Sequence, residues 1–294
     1  MQPSSAPAPL PLPAPRPRRR REERRAIWIA AISTVLVLGL IAAVAIAAPG
    51  SKQVQEAFFS PRHLRGALLG TDTTAAVPLA FFSVTVRLFL VSEALVLVFG
   101  LVLAVIRSLP GPALFPFRFL SIAYIDFFRG IPLLLLMFIV GFGLPGMRLG
   151  FLSRQSQFTY GVISLTLVYS AYVAEVYRAG IESVHDSQTS AARSLGLSRG
   201  QALRYVILPQ AIRRVMPPLL NDFIGLQKDT ALVAAIGLVE VVRTAQAYGT
   251  TFFNFAGLTI AAGLFVLITI PLARVTDYLI ARDQRKMRAA GGVR

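Results

Sequence analysis

The 294-residue sequence contains no cysteine, which excludes disulfides, thiolate nucleophiles and Cys-ligated metals. Histidine is nearly as scarce. His63 and His185 are the only two and fall in different segments, so a His-rich metal site is not expected. Charged residues make up 15% of the chain, against roughly 25% in ordinary soluble domains. A nucleotide-binding loop is missing as well. Gly141-Phe-Gly143-Leu-Pro-Gly146 has the G-x-G-x-x-G spacing, but it ends an apolar run and does not join a strand to a helix. Met147 and Arg148 stand where a Walker A loop needs Lys and Ser or Thr. No catalytic residues are expected, and binding and hydrolysis of ATP through such a loop are excluded.

What the chain has in abundance is apolar sequence: 55% of its residues are hydrophobic. Several runs reach the roughly 20 residues that a membrane-spanning helix needs. They are residues 26–48, 88–106, 121–144, 158–174, 215–239 and 252–273, which predict an all-α integral membrane protein with about six transmembrane helices. A basic run ahead of the first, and Ala45-Ile46-Ala47 near its end, mimic a secretory signal. A signal's apolar region is about 7–15 residues, however, and this one is long enough to stay as an uncleaved span.

The net charge of +16 fits membrane topology better than nucleic acid, because cytoplasmic loops concentrate Lys and Arg. Both tails are basic, so both are placed in the cytoplasm, which requires an even number of spans. The expected organisation is a Pro/Arg-rich disordered cytoplasmic arm (1–25), a first helix (26–48) and an extracytoplasmic loop (49–77). A helical membrane domain (78–282) and a basic cytoplasmic tail (283–294) follow. The interval between the fourth and fifth spans then faces the cytoplasm.

That interval is polar without reading as a floppy loop. Asp186 or Ser187 can N-cap a short helix through Ser194, with Ala191 and Ala192 as small side chains on its surface. Gly196 suits the left-handed position that closes such a helix. Ser198 and Gln201 have capping-box spacing for a second helix carrying Ala202, Leu203, Val206 and Ile207 as an apolar stripe, ended by Pro209. The expected shape is a two-helix knob over residues 186–209.

Ser190-Ala191-Ala192-Arg193-Ser194-Leu195-Gly196, followed by nine residues and Val206-Ile207-Leu208-Pro209, resembles the EAA loop of ABC importer permeases. Ala171-Tyr-Val-Ala-Glu175-Val-Tyr-Arg178-Ala-Gly180-Ile and Asp126-Phe-Phe-Arg129-Gly130-Ile-Pro132-Leu-Leu look like the polar amino acid subfamily. So do Pro209-Gln210-Ala211, Pro217, Asn221 and Lys228-Asp229-Thr230-Ala231-Leu232. The resemblance covers about Pro78 to Arg282. It implies a type I permease that imports amino acids, with a five-helix core to which residues 26–48 are added. It also implies a bacterial cytoplasmic (inner) membrane location and an ATPase subunit dimer docked on the 186–209 segment through Ser187, Ser190, Ala191, Ala192, Gly196, Leu208 and Pro209. An extracytoplasmic amino-acid-binding protein, and a second permease copy or a homologous permease, complete the implied assembly. ATP and Mg belong to the partner ATPase, and no cofactor is expected on this chain. Two positions depart from the pattern: Ser190 replaces the leading Glu, and Ser187 stands where the subfamily usually has Gly.

Ionisable groups at membrane depth are costly and usually face a bundle interior or a wet cavity. Asp126 with Arg129, Glu175 with Arg178, and Arg274 with Asp277 all have the i,i+3 spacing of self-neutralising pairs. Lys228, Asp229 and Thr230, with Asn221 and Asp222, interrupt an apolar segment. The substrate-pathway candidates are accordingly Asp126, Arg129, Asn221, Lys228, Asp229 and Thr230; Glu93 is a weaker one, and Arg87 reads as an interface residue. An ion-coupled secondary transporter is the competing reading, to be marked by inverted repeats that the sequence does not clearly show. An integral-membrane enzyme would need a cluster of catalytic groups.

Overall fold

The computed structural model describes residues 17–108, 111–148 and 150–291. Its regular elements are all helical, with no strand among the described residues. Two units are distinguished, Met1–Gln55 and Glu56–Arg294. The first contains α1 (Pro17–Ala47), whose described side chains are exposed along their whole length. The disorder expected for residues 1–25 is corrected over 17–25, which continue α1 as helix; Arg and Glu are good helix formers. Residues 1–16 lie outside the described residues.

The expected loop at 49–77 is also corrected. It holds two short helices, α2 (Ser51–Phe59) and α3 (Pro61–Leu69). Pro61 sits in the first turn of α3, where its missing N–H costs nothing. The end of α2 is fastened to the chain around Asn254: the Phe255 N–H donates to the Ala57 carbonyl (2.7 Å) and Asn254 Nδ2 to the Glu56 carbonyl (2.9 Å).

The second unit is built around α7 (Gln157–Glu182), the most buried of the long apolar helices. Along it pack α4 (Val77–Ser108), α5 (Phe115–Gly130) and α9 (Gly200–Ile236). In a bilayer, lipid offers an apolar surface as good as leucine, so small residues that admit close van der Waals approach drive such packing. At Gly100 of α4, a β-carbon would come within 2.7 Å of Val173 Cγ1 on α7. Leu88, Val96, Tyr160, Leu165 and Leu226 fill the resulting core. A second apolar cluster joins Ala67, Val77 and Phe81 to α10 (Val241–Phe252) and α11 (Ala256–Gly291) through Val241, Tyr248 and Ala261.

Among the described residues, four helices are long and apolar enough to cross a membrane singly: Arg25–Ala47, Val77–Ser108, Gln157–Glu182 and Ala256–Arg282. Two bent pairs bring the candidate spans to as many as six. The third span expected over 121–144 is a bent pair, α5 and α6 (Leu133–Gly146), meeting at 104°. Pro132 explains the break. It disfavours the helical region for Ile131, whose φ of −89° and ψ of 132° are extended. The second pair, α9 and α10, bends by 51° after Gly237, a left-handed residue at φ +93°.

Candidate functional site

The segment between α7 and the body of α9 forms the expected knob, with corrected details. Helix α8 (Asp186–Ser194) is N-capped by His185, not by Asp186 or Ser187. His185 Nδ1 accepts the Ser187 N–H at 3.2 Å and lies 2.9 Å from Ser187 Oγ. An imidazole nitrogen is an unusual cap, which is why residue preferences pointed one position too late. At the other end the Gly196 N–H donates to the Arg193 carbonyl (3.0 Å) and the Leu197 N–H to the Ala192 carbonyl (3.2 Å), a Schellman closure with Gly196 at φ +87°.

The capping box forms as spaced. The Ser198 N–H donates to Gln201 Oε1 at 2.9 Å, and the Gln201 N–H to Ser198 Oγ at 3.3 Å. Ser198→Ala is expected to loosen the start of α9 by about 1 kcal/mol. Faster amide exchange over residues 199–203, with α7 unaffected, is the measurement that checks it.

Pro209 does not end this helix. Residues Leu203–Ile207 form a π turn in which the Leu208 N–H reaches the Leu203 carbonyl. Pro209 therefore falls in the first turn of the continuing α-helix, where no N–H is needed. Gln210 Nε2 donates to the Val206 carbonyl at 3.0 Å, giving that group a side-chain partner beside the wide turn. Of the two alanines, Ala191 is exposed but Ala192 is 4% exposed and packs inside the knob. Ser187, Ser190, Gly196, Leu208 and Pro209 are exposed. Leu195, at 83% exposure, is an uncovered leucine on a polar segment.

The helices that flank the knob are joined to the bundle and to each other by polar contacts. Glu175 accepts from Arg107 of α4 at 2.9 Å and from Arg178 one turn along α7, and Arg178 also pairs with Glu182. The Arg214 guanidinium of α9 donates to the Ser183 carbonyl at the C-cap of α7. The spacing-based Glu175–Arg178 pair is thus half of a cluster spanning two helices. No ion pair joins Asp126 to Arg129 or Arg274 to Asp277 among the described residues.

The pathway candidates do not form one strip. Arg129 lines a cavity of about 340 Å³ between α5, α7 and α9, shared with Tyr172, Glu175, Arg214 and Asp222. Asp229 accepts a 2.8 Å hydrogen bond from the Tyr169 hydroxyl of α7. Thr230 is fully buried, donates to the Gln227 carbonyl (2.7 Å) and borders a separate apolar cavity of about 220 Å³. Asp126, Asn221 and Lys228 are exposed and line neither cavity. Arg87 stacks its guanidinium over Phe158, 5.3 Å from the ring centroid.

Two acids matter more than sequence reading suggested. Asp222 has a buried carboxylate oxygen, Oδ2, without a hydrogen-bond partner. Glu240, fully buried, N-caps α10 by accepting the Val242 and Arg243 N–H groups at 2.7 and 2.9 Å. A lone acid in an apolar stretch just after Gly237 was the available signal for Glu240.

Residues 97–286 match the family described as binding-protein-dependent transport system inner membrane component. The arginine transport system permease protein ArtQ of Bacillus subtilis is 35% identical over 227 residues, covering 75% of this chain and 99% of ArtQ. The probable glutamine ABC transporter permease protein GlnM of the same organism is 39% identical over 171 residues, 58% of this chain and 77% of GlnM. A solved amino acid ABC transporter with histidines superposes at a TM-score of 0.63 with 32% identity, over 70% of this chain and 93% of that one. The inward-facing MetNI methionine ABC transporter, at TM-score 0.55 and 20% identity over 68% of this chain and 92% of that one, shares the fold. An all-helical bundle, a rigid polar knob between two core helices and this match together make the chain a member of the family of binding-protein-dependent transport system inner membrane components, a permease of the ABC importers and not itself an enzyme.

Proposed function

We propose that this permease carries amino acids across a bacterial cytoplasmic membrane by alternating access, driven by a separate ATPase dimer that docks on residues 186–209. The observation that carries the docking assignment is the knob itself. Its two helices are closed by a Schellman turn and a reciprocal capping box, and it presents Ala191 and Leu195 uncovered on a polar segment. A rigid element with exposed apolar atoms suits transmission of a partner's movement. The amino acid class is supported by the arginine- and glutamine-permease relatives.

In this reading each bent pair is one span, giving six, with both termini in the cytoplasm on the same side as the knob. Two permease subunits, either two copies or this chain with a homologous one, enclose the path, and an external binding protein delivers the solute. ATP and Mg are held by the ATPase.

Ala191→Arg tests the docking. A long charged side chain on the exposed face of α8 is expected to cut the co-purified ATPase by about ten-fold, equivalent to ~1.4 kcal/mol. The permease itself should retain its helical circular dichroism and elute as a single species. ATPase recovered at the wild-type ratio would remove this face from the interface. Because the chain has no Cys, Leu195→Cys provides a unique thiol for cross-linking to the ATPase as a second readout.

A further inference from the structure

Where the end of α4, the start of α5 and the end of α7 meet, a cavity of about 520 Å³ opens that none of the six pathway candidates lines. Arg107, Arg118 and Arg178 line it, against a single acid, Glu182. Arg178 is paired with Glu175 and Glu182, and Arg107 gives one N–H to Glu175 at 2.9 Å. A guanidinium has five N–H donors, so Arg107 has donors to spare for a further acceptor. Counting both acids, the cluster still keeps one positive charge, the complement of one phosphodiester.

The position of the cavity narrows the kind of anion. Arg107 stands one residue before α4 ends at Ser108, and Arg178 and Glu182 lie in the last two turns of α7. These are the levels at which a span leaves the hydrocarbon and its charges reach the headgroups. Beside the arginines, the first turns of α5 carry Phe115 and Phe119, both 59% exposed, with rings stacked at 6.3 Å between centroids. Ile122 continues this apolar wall one turn farther along α5. A small soluble anion would leave that wall uncovered, whereas a lipid covers it and supplies the phosphate as well.

We propose that this cavity binds an anionic phospholipid of the surrounding bilayer, its phosphodiester held by Arg107 and Arg118 and an acyl chain lying along Phe115, Phe119 and Ile122. Arginine grips phosphate through two parallel N–H bonds, and basic pockets between spans on the cytoplasmic side suit such headgroups. The volume lies within the range of ordinary ligand pockets, about 300–1,000 Å³, enough for a headgroup while the chains stay in the bilayer. Placing the lipid in the cytoplasmic leaflet rests on the docking assignment made above, because the α7 end that carries Arg178 and Glu182 leads into the knob.

The test uses the purified permease–ATPase complex in detergent, titrated with phosphatidylglycerol or phosphatidylcholine and read by native mass spectrometry. Wild type is expected to retain phosphatidylglycerol in preference. Arg118→Gln should weaken that retention about five-fold, the worth of one basic residue at an anionic lipid surface, and Arg118→Lys should restore most of it. Phe119→Ala should weaken it as well. Glu182→Gln removes the opposing charge and should tighten it, a direction that loss of structure does not produce. Arg65→Gln, at an exposed position on α3, lowers the net charge equally and should change nothing. Glycerol 3-phosphate in excess, which has the phosphate without the chains, should not displace the lipid.

Equal retention of both lipids by wild type would overturn the proposal, as would an unchanged preference in folded Arg118→Gln or a loss just as large in Arg65→Gln. Displacement by glycerol 3-phosphate would make the site one for a free anion and overturn the lipid assignment. Melting temperature in phosphatidylcholine reports folding. If Arg118→Gln does not fold, Glu182→Gln and the wild-type comparison decide the matter. Docking at the knob is judged separately by ATPase co-purification with Ala191→Arg, so either reading can fall while the other stands.

Discussion

Replacing Glu240 with Ala is expected to cost about 3 kcal/mol or more and to leave little assembled complex. The side chain is fully buried and serves three donors. Oε1 takes the Val242 and Arg243 N–H groups, and Oε2 takes the Thr85 hydroxyl at 3.3 Å. Thr85 Oγ1 in turn accepts the Val241 N–H at 3.2 Å, so the carboxylate holds the start of α10 against α4. Each buried donor left without an acceptor costs about 1–3 kcal/mol, and no water inside a membrane bundle replaces it. Glu240→Gln keeps a carbonyl for the two amides and is expected to lose only about 1 kcal/mol, the size of an ordinary cap change. The melting temperature of the detergent-purified complex and its monodisperse yield are the measurements. Equal melting of the Ala variant and wild type would show that the cap is dispensable.

The second large effect is expected at Gly180. A β-carbon there would sit 1.9 Å from Val215 Cγ1 and 3.5 Å from the Ala211 carbonyl oxygen. Val215 is 6% exposed, and a β-branched side chain in a helix has essentially one rotamer, so the methyl cannot swing aside. Gly180→Ala must therefore part α7 from α9, at about 1–3 kcal/mol for an overpacked contact. The Arg214 to Ser183 contact lies beside this crossing, so the tie between the two helices that flank the knob is lost as they separate. Transport in proteoliposomes is expected to fall by about ten-fold, equivalent to ~1.4 kcal/mol. Val215→Ala vacates the same space, and the double variant should recover both transport and melting temperature. Two additive losses in the double variant would mean that the contact is not the cause, since residues that touch are the ones expected to couple.

The knob shows how far local pattern reaches. Gly196 in the left-handed region and the Ser198–Gln201 box were legible because both rest on residues within a few positions of one another, where chemistry and spacing suffice. The cap at His185, the burial of Ala192 and the π turn ahead of Pro209 were not legible. Each depends on how the two short helices pack and on how the chain absorbs a proline inside a longer helix. The broken third span is intermediate. Gly130-Ile131-Pro132 was in view, and Pro132 did what prolines do, but the 104° angle is set by what α5 and α6 pack against.

By itself the sequence determined the membrane class, the approximate positions of the spans, the knob and the i,i+3 pair of Glu175 with Arg178. Apolar run length, charge bias, capping and one-turn spacing are all local properties. Only the tertiary structure decided which charges meet. Arg107 reaches Glu175 across 68 positions, Tyr169 reaches Asp229 across 60, and Thr85 reaches Glu240 across 155. It also split the six pathway candidates, placing Arg129 with Asp222 in the lining of one cavity while Asp126, Asn221 and Lys228 are exposed outside it. The physical reason is that a helix fixes a side chain's angle about its own axis, whereas its partner depends on the rotation and register of a neighbouring helix. Those are set by small-residue crossings such as Gly100 on Val173 and Gly180 on Val215, which no single segment encodes.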